Sequence, residues 1–215
     1  MMTEQAQAKA ETEEFANSLS HGVGLVAAVV ATCVLIPSAL QAGRPGYLIG
    51  SAVFAATMIL VYLASTLYHG LPAGRLKDFF LQIDHTAIYL FIAGTYTPFT
   101  LGVLRHANGP LLCAVVWTLA ILGIVLQLSD RMNHPFGSTA LYLAMGWTIL
   151  LSGRSTVANL SSTGLTLLVA GGLAYTIGVI FYAIGQRVRY GHLVWHLFVM
   201  AGSTLHFFAV LWHGA

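Results

Sequence analysis

Charge is scarce in this sequence. Lys, Arg, Asp and Glu make up 7% of its 215 residues, against 57% hydrophobic residues, and so thin a polar complement cannot cover the apolar surface in water. That excludes an ordinary soluble globular domain. Cysteine is nearly absent: Cys33 and Cys113 both fall inside apolar runs, where a thiol is a small core residue and neither a disulfide nor a metal pair is expected. Strand alternation is missing, which argues against a β-barrel. The formal charge of +2 is mild and the basic residues are scattered, so no patch for nucleic acid is expected. A basic n-region is missing as well. The first residues are acidic, with Glu4, Glu11, Glu13 and Glu14 against Lys9, the wrong charge for a signal peptide, so the first apolar run is expected to be retained.

What the sequence does have is a succession of apolar runs close to the ~20 residues that cross a bilayer as a helix. The expected spans are 19–41, 47–70, 79–101, 109–129, 138–153, 163–185 and 192–213, the fifth being the shortest. Gly43-Arg44-Pro45-Gly46, Leu71-Pro72-Ala73-Gly74 and Asn133-His134-Pro135 supply the punctuation between runs. The expected architecture is an all-α polytopic membrane protein with seven transmembrane helices. It divides into a short cytoplasmic segment, 1–18, and one transmembrane domain, 19–215.

Lys and Arg set the orientation. With the N-terminus inside, the inner segments carry Lys9, Arg75, Lys77, Arg131, Arg187 and Arg189, and the outer ones carry Arg44, Arg105 and Arg154. N-terminus cytoplasmic is therefore expected. That orientation brings His69, at the inner end of the second span, level with Asp84 early in the third and His192 and His196 at the start of the seventh. His192 and His196 lie four residues apart on one helix face, and Ser65 stands one turn above His69.

A carboxylate in a span is costly and calls for a partner or a purpose. Three imidazoles with a carboxylate near them suit zinc, three His nitrogens leaving the fourth tetrahedral position for water, as in catalytic sites. On this reading His69, His192 and His196 are the ligands, and Asp84 is a general base or supporting partner of the water. Ser65 hydrogen-bonds that water or a substrate carbonyl. The residues taken alone leave a second reading open, in which the histidines are interhelical hydrogen-bond donors and nothing more.

Four ordered motifs carry a resemblance over essentially the whole chain. They are Glu14-Phe-Ala-Asn17-Ser-Leu-Ser-His21 (ExxNxxxH), Ser65-Thr-Leu-Tyr-His69 (SxxxH), the Asp84 that opens the third span, and His192-Leu-Val-Trp-His196 (HxxxH). Together they resemble the hemolysin III family, the bacterial branch of the progestin and adipoQ receptor superfamily. The resemblance implies seven helices, a cytoplasmic N-terminus, and zinc held near the cytoplasmic side by His69, His192 and His196. It also implies a role in membrane lipid homeostasis, in the bacterial inner membrane, and kinship with a wider group of metal-dependent lipid hydrolases that includes alkaline ceramidases.

The remaining polar residues have plainer readings beside functional ones. Glu14, Asn17 and His21 are either a cap or substrate gate over the site or the start of a helix with its acid near the positive dipole end. His85 points about 100° away from Asp84 and is expected at the surface or an interface. His206 returns to the face of His192 but ~21 Å further along, too far to share a metal, and an ordinary bundle hydrogen bond is expected. His106, His134 and His213 fall near span ends. Trp117, Trp147, Trp195 and Trp212 read as membrane-belt or packing residues. Gly46-Tyr-Leu-Ile-Gly50 fits a close helix contact, and Pro98 is expected to bend the third span.

Two functions from different classes follow. One is an intramembrane zinc hydrolase acting on a lipid amide or ester; the other is a non-enzymatic lipid sensor in which zinc staples the bundle. A cytolytic pore is disfavoured, because the polar groups gather at one depth and do not form a stripe. The expected partners are membrane lipids.

Overall fold

Glycine and proline stand where the apolar runs stop, and helices form between them. A computed structural model describes residues 4–129, 135–153, 157–185 and 187–215. Arg131, Asn133, His134 and Arg154, which entered the readings above, lie outside the described residues. Seven α-helices are present among those described, with no strand: α1 (Glu4–Gln41), α2 (Pro45–Gly70), α3 (Arg75–Leu101), α4 (Gly109–Leu128), α5 (Pro135–Gly146), α6 (Ser162–Ile184) and α7 (Gly191–His213).

The connections are made by the expected turn chemistry. Gly43 adopts φ 65° between α1 and α2, a left-handed conformation that glycine takes without steric cost. Pro45 opens α2 in its first turn, where its missing N–H costs nothing. Leu71, held extended before Pro72, closes α2. Ser161 caps α6 by accepting the Gly164 N–H, the usual role of serine at this position.

Five helices, α1, α2, α4, α6 and α7, are long and apolar enough to cross a membrane. α3 has the length, at 27 residues, but opens on Arg75-Leu-Lys77-Asp78. The fifth run breaks at Gly146-Trp147 into a 3-10 turn over Thr148–Ser152, so α5 itself has only 12 residues. The first helix starts earlier than the expected span, at Glu4, and runs unbroken through the acidic segment to Gln41. Its first turns are rich in Ala, Glu, Gln and Lys, all strong helix formers.

Neighbouring helices pack in chain order. α1 lies on α2, α2 on α3, α3 on α4 and α6 on α7, and α7 returns to touch α1 and α3. The last helix thereby comes to rest beside the first. A larger core that includes Leu35, Tyr47, Phe54, Met58, Tyr62, Phe91 and Val210 fills the space among α1, α2, α3 and α7. A smaller one, with Tyr89, Val116 and Met145, joins α3, α4 and α5. The outward faces stay apolar, as in Val26 and Val30 of α1, Leu111 and Ile121 of α4 and Ile180 of α6, which is the surface lipid requires and water would penalise.

The Gly46-x-x-x-Gly50 pattern is a contact with α3. A Cβ on Gly50 would stand 2.4 Å from the Pro98 Cα, and one on Gly46 2.3 Å from the Leu101 carbonyl oxygen. α3 continues through Pro98 to Leu101. Both obstacles are backbone, which cannot rotate aside. Gly50→Val is expected to force α2 and α3 apart and to destabilise the protein by about 1–3 kcal/mol, read as a fall in melting temperature in detergent.

α6 is attached differently. Its buried residues are Gly164, Gly171 and Gly178. Each lies under side chains of α7: His213 over the first, the His206 ring over the second, and Trp195 with Phe198 over the third.

Candidate metal centre

The site forms where the end of α2 meets the start of α7, beside the N-terminal half of α1. His69 occupies the last turn of α2. His192 and His196 occupy the first turns of α7, and their spacing of one helical turn puts both rings on the face toward α2. One nitrogen from each of the three rings lies within 4.8 Å of the others, and the ring centroids are 4.6–5.1 Å apart. His69 and His196 are buried, and His192 is half-buried.

The hydrogen bonds leave the inward nitrogens free. The Ser20 hydroxyl donates to the Asn17 carbonyl at 2.8 Å, so its oxygen accepts from His196 Nδ1–H at 3.0 Å. The Asn17 carbonyl lies 3.3 Å from the same nitrogen. With its proton on Nδ1, His196 presents the Nε2 lone pair inward. His69 is held likewise, Nδ1 donating to Glu14 Oε1 at 3.3 Å, while its buried Nε2 has no protein partner. Metal-bound imidazoles are oriented in this way, through a carboxylate or carbonyl on the far nitrogen.

The three residues of the first motif therefore work together, although not as a helix start, since α1 begins ten residues before Glu14. Glu14 orients His69, and Asn17 offers its carbonyl to His196. His21 stacks on His196 with ring centroids 3.5 Å apart and an interplanar angle of 12°, and meets Tyr62 edge-on. Neither ring nitrogen of His21 has a protein partner, yet His21 is not in the convergent group. Ser65, buried one turn before His69, is the side chain that interacts with Asp84. Asp84 too stands outside the convergent group.

The other histidines make ordinary contacts. His206 Nε2 is 3.1 Å from the Leu168 carbonyl, His213 Nδ1 is 2.9 Å from Ser161 Oγ, and exposed His106 accepts from Arg105. The carbonyl of His85 accepts from the Tyr142 hydroxyl. Trp117 and Trp147 donate to Thr97 and Thr176. Two residues of the site carried no signal of their own in the sequence. Ser20 sits inside the first motif but at one of its unspecified positions, and Lys77 read only as a topology charge; the structure puts Lys77 Nζ 2.6 Å from Glu14 Oε2.

The donor set fits a divalent metal. Three imidazoles, two with their outer nitrogens hydrogen-bonded, converge with an orphaned buried nitrogen among them. Zinc would be held by His69, His192 and His196 and would supply a Lewis acid there.

Comparison with known proteins agrees with the motifs. The profile of the family described as "Haemolysin-III related" matches residues 9–207. The chain belongs to the haemolysin III family. "Hemolysin-3" of Bacillus cereus is 40% identical over 201 residues, covering 94% of this chain and 91% of that relative. "Hemolysin-3 homolog" of Bacillus subtilis (strain 168) is also 40% identical over 201 residues, covering 94% of each. A more distant relative, "Monocyte to macrophage differentiation factor" of Homo sapiens, is 26% identical over 207 residues, covering 92% of this chain and 83% of that protein. Membrane-spanning helices and this membership make the chain an integral membrane protein with a histidine triad able to hold a metal ion.

Proposed function

We propose that this haemolysin III protein binds zinc through His69, His192 and His196 and hydrolyses an amide or ester bond of a membrane lipid, contributing to membrane lipid homeostasis. In this reading all seven helices span the bilayer, the N-terminus is cytoplasmic, and the membrane is the inner membrane of a bacterium. The observation that carries it is the convergence of three ring nitrogens, one of them buried and unpartnered.

Zinc bound there would polarise the scissile carbonyl and make water acidic enough to attack near neutral pH. The chain's own groups do the rest. Glu14 and the Asn17 carbonyl hold His69 and His196 in the right tautomers. The Ser65 hydroxyl holds the Asp84 carboxylate in place. Asp84 takes a proton from the attacking water as the new carbon–oxygen bond forms, then returns it to the departing amine or alcohol as the old bond breaks.

One feature favours the second reading, a lipid sensor stapled by metal: the ligands come from α2 and α7, and their orienting groups from α1, so a metal would tie three helices together. Removal of the metal decides between them. Purified protein is expected to contain about one zinc per chain by elemental analysis, and stripping it with a chelator should abolish hydrolysis of lipid amides or esters, with recovery on adding zinc. Zinc-loaded protein that cleaves no lipid across a panel of amides and esters would favour the sensor.

A further inference from the structure

Lys77 belongs to none of the four motifs, yet its ammonium group uses all three of its donors on the structure around His69. It donates to Glu14 Oε2 at 2.6 Å, to the Tyr68 carbonyl at 2.9 Å and to the Leu71 carbonyl at 3.3 Å. Its charge also lies over the Tyr68 ring, 4.7 Å from the centroid. Tyr68 precedes His69 in the last turn of α2, where main-chain carbonyls have no helical partner and the dipole favours a cation.

We propose that Lys77 is a positioning residue of the metal centre: it fixes His69 both by capping the turn that carries the ring and by pinning the carboxylate that orients it. The proposal rests on the metal-binding reading above. Glu14 is 39% exposed, and a long carboxylate side chain in water samples several rotamers. Lys77, only 20% exposed, anchors one of its oxygens, which leaves the other at His69 Nδ1. Charge-assisted bonds of this length are short and directional. Without the ammonium, Glu14 can swing to solvent, the terminal carbonyls of α2 lose their donor, and the His69 ring is free to rotate away from the two α7 imidazoles.

The test uses the full chain in detergent, with zinc affinity measured by competition against a chelator and the ligand geometry read from the visible absorption of the cobalt(II)-loaded protein. Lys77→Met is expected to bind zinc about 10–100-fold more weakly and to shift the cobalt bands, with far-UV circular dichroism unchanged. Glu14→Gln, whose amide oxygen can still accept from His69, should weaken binding too. The double variant should lose little more than Lys77→Met alone, because removing the ammonium already releases the Glu14 carboxylate. A loss that merely reflected weaker folding would leave the cobalt bands where they are. Should Lys77→Met fail to fold, Lys77→Gln keeps part of the capping and is measured in the same way, with the same expectation. Wild-type affinity and unchanged cobalt bands in the Lys77 variant, or fully additive losses in the double variant, would overturn the proposal while leaving the metal reading intact. Wild-type protein that takes up neither metal would overturn both.

Discussion

Protein carrying His196→Ala is expected to leave purification with no bound metal and no hydrolytic activity. Structural zinc sites bind with about 10–16 kcal/mol at neutral pH, so one ligand of three or four accounts for roughly 3–4 kcal/mol, or two to three orders of magnitude in affinity. His196 is the ligand whose loss should be felt most. It is the most deeply buried of the three, it carries two of the orienting contacts, from Ser20 and Asn17, and His21 is stacked against it. Elemental analysis beside wild type measures the effect directly. Full zinc occupancy in the variant would mean that the three rings are not the ligands.

Asp84→Ala should separate chemistry from metal binding. Asp84 contacts Ser65 and stands outside the convergent group, so zinc content should stay near that of wild type. Turnover of a lipid amide or ester should fall about 10²–10⁴-fold, the usual contribution of a proton-transferring side chain. Wild-type turnover in this variant would remove Asp84 from the chemistry. A zinc-loaded, inactive variant that still restores membrane fluidity in cells would show that hydrolysis is not what the cell needs from the protein.

Periodicity made the pairing of His192 with His196 readable, since four residues on a helix is a geometric statement that survives any tertiary arrangement. His69 was readable at one remove, because alternating span direction puts the end of the second apolar run on the same side as the start of the last. The tautomers were not readable. They depend on the rotation of α1 about its axis, which brings Ser20 against a ring 176 residues away, and no local pattern encodes that. Lys77 illustrates the same limit: a lysine at a span end has an obvious electrostatic use, and only packing reveals that its donors point inward. α5 was legible as an apolar run, but its break at Gly146-Trp147 was not, because Trp147 itself is as apolar as the helix it ends.

The bare backbone along α6 limits how that helix can move. Seven residues of α-helix advance ~10.5 Å, and notches repeat at that interval in Gly164, Gly171 and Gly178, each occupied by side chains of α7. Axial sliding would drive those rings into the Cβ atoms between the notches, so the register of the two helices is locked. Two hydrogen bonds cross the same seam, between His206 and the Leu168 carbonyl and between His213 and Ser161. The lowest notch lies beside Trp195, one residue from the buried imidazole of His196, so the locked register also fixes the height of that ring against α6.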